Sequence, residues 1–176
     1  MATDIQADSC AVPWQTEAPV ATAGAYERLR ILTTYKTIAM VGLSDDPYRP
    51  SHFAAIYMQS WGYDIIPVNP RLAGKTILGQ PVYATLRDIP RPVEIVDIFR
   101  RPEDIPPIVE EAIEIGAKVV WMQLGIVNEE AARRAREAGL EVVMNRCVKI
   151  EHARFFGGLN LVGMNTGVIT SRRKIA

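Results

Sequence analysis

The sequence predicts an α/β fold: a doubly wound parallel sheet of about five strands, with helices on both faces and three layers in all. Three observations predict it. Five short apolar runs recur along the chain, most of them closed by glycine, proline or asparagine. Helix-like stretches fill three of the four junctions between these runs, at the length that right-handed βαβ crossovers use. The runs are continuously apolar rather than alternating, as strands covered on both faces are.

Residues 1–23 are rich in Ala, Thr and Pro without periodicity and read as a loose tail before one domain at 24–176. "AYERLRILTTY" (25–35) has helical composition, and "TIAMVGL" (37–43) is the first strand, ending in a turn signal. "SHFAAIYMQSWG" (51–62) reads as a helix with Ser51 as N-cap, Phe53, Ile56 and Tyr57 on a shared face, and Gly62 as the stop. "YDIIPVNP" (63–70) is the second strand, closed by Pro70. The stretch 71–90 is a longer excursion with a short extended piece around Val82 and Tyr83. "VEIVDIF" (93–99) is the third strand, and "PEDIPPIVEEAIEIG" (102–116) a helix with acids near its start. "AKVVWMQLG" (117–125) is the fourth strand, "NEEAARRAREAG" (128–139) a helix capped by Asn128, and "LEVVMN" (140–145) the fifth strand.

Composition bounds the function. At 176 residues the chain suits one well-buried domain. Lys plus Arg and Asp plus Glu are balanced at 20 each, so no global field recruits nucleic acid or an anionic membrane; an anionic ligand must be met by local groups. No apolar run approaches the roughly 20 residues that span a bilayer, and the acidic N-terminus does not read as a signal peptide. Cys10 and Cys147 have no metal-type spacing, and a cytoplasmic location with reduced thiols is expected. A homodimer is compatible with so small a domain, with "LVGMNTGVIT" (161–170) as an exposed edge segment.

In a doubly wound sheet, ligands sit beyond the carboxyl ends of the strands, where strand order reverses. The first such end, "VGLSDDPYRPSHF", carries one glycine where a dinucleotide loop has three. Gly42 allows a tight turn, Ser44 offers a hydroxyl, Arg49 a guanidinium, and the helix beginning near Ser51 presents its positive end. These groups suit a pyrophosphate, but strand–Gly–helix is unspecific, and Asp45, Asp46, Pro47 and Pro50 equally read as shaping a connection. The second end has Asn69 and Arg71 where an NAD site carries an acid, which favours a ligand with an extra phosphate near its ribose. "FRRPED" and "WMQLG" place Phe99, Arg100, Met122, Gln123 and Gly125 at the next ends, apolar walls with few polar groups; singly, Phe99, Met122 and Trp121 are core-type residues. His52 and His152 belong to no metal or nucleophile motif, and no acid–base pair for catalysis is found, so neither enzyme activity nor a metal is expected.

Taken together, "IAMVGLSDDPYRPSHF", "IIPVNP", "VDIFRRPEDIP", "VWMQLGI" and "NRCVKIEH" closely resemble the small stand-alone CoA-binding proteins of the YccU-like type. These are single Rossmann-like domains similar to the CoA-binding domain of the succinyl-CoA synthetase alpha subunit. The resemblance covers about residues 33–156 and implies coenzyme A, or an acyl-CoA, as the ligand of a non-catalytic module. It implies that Gly42, Ser44, Arg49 and Ser51 hold the diphosphate, and that Asn69, Pro70 and Arg71 frame the adenosine and its 3′-phosphate. Phe99 and Arg100 would line the nucleotide side, with Met122, Gln123 and Gly125 along the pantetheine arm. Nothing matches the ligase-type domain or phosphohistidine region of the synthetases, so acyl-CoA ligase activity is not expected. The alternative is an NAD(H)-binding, redox-responsive protein. Cys147, just past the fifth strand, reads either as a small packed residue or as a thiol placed to form a mixed disulfide with CoA.

Overall fold

A computed structural model describes residues 22–157. Its elements in chain order are α1 (Ala25–Thr34), β1 (Thr37–Val41), α2 (Pro50–Ser60), β2 (Asp64–Val68), β3 (Thr76–Ile77), β4 (Gln80–Pro81), β5 (Ile95–Ile98), α3 (Ile105–Glu114), β6 (Val119–Met122), α4 (Glu129–Glu137), β7 (Glu141–Val143) and α5 (Val148–Phe156). Five strands form one parallel sheet in the order β2-β1-β5-β6-β7. This is the predicted doubly wound, Rossmann-like α/β fold. The chain leaves β1 toward β2 and then crosses back to β5, so strand order reverses between β1 and β5.

Alternation along the buried strands builds two cores. Ala39, Val41, Val96, Ile98, Val120 and Met122 pack with Ile105, Val109 and Ala112 of α3 and with the alanines of α4. The intervening residues Ile38, Met40, Ile95, Val119 and Trp121 pack with Ile31 and Leu32 of α1, Ala54, Ala55 and Met58 of α2, and Val148 of α5. Burying both faces is what makes these strands apolar throughout. The excursion after β2 holds the β3–β4 hairpin, and Tyr83 then bridges in parallel to Val68, extending the sheet edge.

One expectation is corrected and two features are added. Ser51 is not the N-cap of α2: Arg49 takes that backbone position, Pro50 occupies the first turn, and Ser51 turns inward. Proline is favoured there because its φ is preset and its missing N–H has no intrahelical partner in any case. The face of α2 that carries Phe53 and Ile56 is its outer one, at 48% and 46% exposure, while Ser51, Ala54, Ala55 and Met58 face the sheet. Residues 148–156 form a helix that the sequence reading left unassigned, because its inner stripe includes Glu151 and His152. Glu151 is buried against Arg28 of α1 at 2.9 Å and against Arg154 at 2.8 Å, which clamps α5 to α1.

Thr22 and Ala23, assigned to the tail by composition, lie along β7: Ala23 N–H donates to the Val142 carbonyl at 3.1 Å, and Thr22 exchanges hydrogen bonds with Met144. Residues 1–21, Cys10 within them, and the segment 161–170 lie outside the described residues. Among the described residues no helix is long and apolar enough to cross a membrane, and no group of three or more His, Cys, Asp or Glu side chains gathers as metal ligands do.

Candidate functional site at the sheet's carboxyl edge

The turn after β1 sits at the point of strand-order reversal. Gly42 has φ +88°, and a Cβ there would fall 2.5 Å from the Phe99 carbonyl oxygen after β5. Only glycine lets the two strand ends approach so closely. Phe99 and Arg100 then diverge, Phe99 packing toward the α2–α5 core and Arg100 running past Gly42 to the α3 side.

The loop is tied by its own side chains. Ser44 N–H donates to the buried Ser51 Oγ at 3.2 Å, and Ser44 Oγ accepts from Asp46 N–H at 3.1 Å. His52 Nδ1 lies 2.8 Å from the Ser44 carbonyl oxygen, so this histidine braces the loop. Asn69 Nδ2 donates to the Leu43 carbonyl at 2.9 Å, while its Oδ1 accepts from Arg71 N–H at 3.1 Å. Asn145 plays the same part further along, accepting from Gly125 N–H at 2.8 Å. Two asparagines thus cross-tie neighbouring strand-end loops. Asn69, singled out from sequence as a ligand contact, makes its bonds to Leu43 and Arg71 within the protein and so positions the loops. Asn145 lies at the predicted end of the fifth strand, but its tie to the β6 loop is not legible there, since single asparagines at strand ends are common turn residues.

Between β1, β2 and α3 lies a cleft of about 340 Å³, lined by Val41, Val68, Pro70, Thr85, Arg100 and Ile108 among others. That volume lies within the roughly 300–1,000 Å³ of small-molecule sites. The structure therefore brings Pro70 and Arg100 together on one apolar-walled recess beside Gly42. The contribution of 84–86 and of α3 was not legible in sequence, because the excursion after β2 has no periodicity to place it.

The charges at this edge divide into paired and unpaired. Asp104 in the cleft faces Arg101 at 3.2 Å, and Glu111 faces Arg87 at 3.0 Å. Arg49 leans on Asp46 at 3.6 Å from an exposed position, and Lys75 reaches Asp45 at 3.9 Å. Arg71 and Arg100 make no ion pair among the described residues. A larger groove of about 540 Å³ runs between α3 and α4 and shares Pro107 with the cleft, and its Glu110 and Arg134 pair with one another at 2.8 Å.

Beyond β6 the predicted residues separate. Met122 is wholly buried in the α3–α4 core, so its side chain does not line the edge. Gln123 is also buried, donating from Nε2 to Asp97 Oδ1 at 2.7 Å. Gly125 lies exposed at the turn. Asp97, in the middle of β5, is fully buried with Oδ2 lacking any hydrogen-bond partner, and burial pushes its carboxyl up to about 7 against the bonds from Gln123 and from the backbone at Ile98. Asp97 was missed from sequence; a lone acid in an apolar run, "EIVDIF", is the signal that could have found it.

Comparison with known proteins places this edge in context. Residues 36–153 match the family described as CoA binding domain. The chain is 46% identical over 123 residues to the uncharacterized protein YneT of Bacillus subtilis (strain 168), covering 70% of this chain and 90% of that one. It superposes on a hypothetical protein from Pyrococcus horikoshii OT3 with TM-score 0.73 and 41% identity, over 80% of this chain and 97% of the other. It is also similar, at 25% identity and TM-score 0.56, to the apo dinucleotide-forming acetyl-coenzyme A synthetase 1 of Ca. Korarchaeum cryptofilum, over 62% of this chain but only 26% of that much longer one. With the match running from the residue before β1 into α5, the chain belongs to the CoA binding domain family.

Proposed function

We propose that the protein binds coenzyme A, or an acyl-CoA, as a cytoplasmic non-catalytic module. The observation that carries the reading is an apolar cleft at the point of strand-order reversal, lined by Arg100 and by Pro70 with Arg71 directly after it, both cations without an ion pair among the described residues. A ligand with separated phosphates and an apolar-faced base matches that pattern. The adenosine occupies the cleft against Val41, Val68 and Pro70, and its 3′-phosphate meets Arg71. The diphosphate lies over Gly42 and Ser44 at the positive end of α2, where Arg49 exchanges Asp46 for phosphate oxygen. The pantetheine arm runs toward β6 along the backbone of 123–125. Ser51, Asn69 and Gln123 hold this surface in shape from behind.

Isothermal titration with CoA, dephospho-CoA, acetyl-CoA and NADH tests the reading. CoA should bind more tightly than NADH, and CoA should outbind dephospho-CoA. Loss of a charge-assisted contact in Arg71→Ala should shrink that second preference roughly 10- to 100-fold. NADH binding more tightly than CoA, or an unchanged preference in the variant, overturns the ligand or the placement respectively.

A further inference from the structure

The outer face of α2 and the adjoining side of α5 carry an apolar strip that the sheet does not use. Phe53 and Ile56 on α2, Trp61 at its end and Phe156 at the end of α5 are all exposed. The two helices lie side by side and run the same way. At their starts Lys149 sits 6.0 Å from the Phe53 ring; further on, the His152 ring lies 5.5 Å from Tyr57 and 5.1 Å from Trp61, and Phe156 stacks on His152 at 4.4 Å. The rings thus join into one row from Phe53 to Phe156. Single exposed apolar residues are ordinary, whereas a joined row of them marks a surface that something covers.

The chain beyond the described residues, 158–176, starts at this strip: it leaves α5 through Gly157, directly after Phe156 and so at the Trp61 end of the row. A Cβ at Gly157 would collide with the Ala153 carbonyl, and a second glycine, Gly158, follows, so the exit suits a sharp turn. From Phe155 to Ser171 no residue is charged, while Leu159, Leu161, Val162, Met164, Val168 and Ile169 are apolar; charge returns only at Arg172, Arg173 and Lys174. Such a stretch gains by leaving water, and the nearest apolar surface is the strip it grows from. Reach is ample. Phe53 to Trp61 is about 12 Å of helix, which roughly four extended residues span. A second copy is the competing cover, but pairing two strips face to face would put Lys149 of both copies, 5.8 Å from the Tyr57 ring, into one interface. Residues 158–170 bring no charge to it.

We propose that the α2–α5 strip is the docking site of the chain's own residues 158–170, which turn back at Gly157 and lie over Trp61, Tyr57 and Phe53. The direction follows from the strip, which runs from the exit of α5 back to the starts of both helices. The segment therefore heads for the carboxyl edge of the sheet, where the turn after β1 leads into α2. The proposal is independent of the CoA reading.

Two measurements on the full chain test it: hydroxyl-radical footprinting read by peptide mass spectrometry, and amide hydrogen exchange of residues 159–169, each in wild type, Leu161→Asp and Phe53→Glu. Both substitutions change exposed or terminal positions, and Tyr26 and Tyr48, at 80% and 84% exposure, serve as open references. In the wild type the segment's amides should exchange about tenfold or more slowly than in a free peptide of the same sequence. Leu161→Asp should raise modification of Trp61 several-fold and leave Tyr26 and Tyr48 unchanged. Phe53→Glu, which does not alter the segment, should speed exchange of its amides. Exchange at the free-peptide rate in the wild type, or Trp61 modified equally in wild type and Leu161→Asp, overturns the proposal. Protection that appears only as concentration rises, with a dimer in sedimentation, also overturns it and assigns the strip to a second copy.

Discussion

Replacing Asp97 by asparagine should make the protein progressively more stable than the wild type as pH rises. Asparagine mimics the protonated acid: its Oδ1 still accepts from Gln123, and its Nδ2 takes the place of the unpartnered oxygen. The Asp97 carboxyl stands at about 7 in the folded protein and 3.8 in a solvated chain, raised chiefly by burial. Between those values the folded state holds a proton that the unfolded state has released, so wild-type stability falls as pH rises through that window. Its contribution is fully present below the unfolded value and gone above the folded one. The gap of about three pK units corresponds to roughly 4 kcal/mol in total, of which roughly 3 kcal/mol falls between about pH 4.5 and pH 7.5. Urea unfolding of both proteins at steps across that range measures it. The difference in stability, variant minus wild type, should climb by about 3 kcal/mol from the acid end to the neutral end. A difference flat to within about 0.5 kcal/mol would refute the reasoning, because it would mean Asp97 is ionised in the folded state at both ends of the range.

His152 should show the opposite slope. It is buried among Tyr57, Trp61, Tyr63 and Phe156, with Tyr57 Oη 3.1 Å from Nδ1, and burial, aided by Lys36, lowers it from 6.5 to about 4. The unfolded chain takes up the proton first, so this contribution is lost as pH falls from 6.5 to about 4, and wild type should lose roughly 3 kcal/mol relative to His152→Gln across it, read by the same unfolding series. Gly42→Ala should cost on the order of 2 kcal/mol or more, from positive φ together with a Cβ driven onto the Phe99 carbonyl, and should abolish CoA binding in the calorimeter; a variant that keeps wild-type affinity removes the β1 turn from the site.

The fold was legible because its signals are local. Continuous apolar runs, helix caps such as Asn128, which accepts from Ala131 N–H at 2.9 Å, and stop signals are written within a few residues of the elements they define. The same holds for the strand ends as a place, and for Gly42, Arg71 and Arg100 as residues of interest. What each polar side chain does there was decided by partners far along the chain. Asn69 is held to Leu43, Gln123 to Asp97, Gly125 to Asn145, and Ser51 turns inward to Ser44, so groups that read alike in sequence are divided into scaffold and free surface only by packing. Tertiary structure also chose the inner face of α2, which carries Ala54, Ala55 and Met58 while Phe53 and Ile56 stay outside although they are no less apolar. It alone folded α5 back onto α1 so that Glu151 meets Arg28 at 2.9 Å, two residues 123 apart in the chain whose juxtaposition no local pattern encodes. In the strands, apolar runs mark which residues are inside; which of them oppose a charge or a carbonyl depends on strand order, and strand order is a property of the assembled sheet.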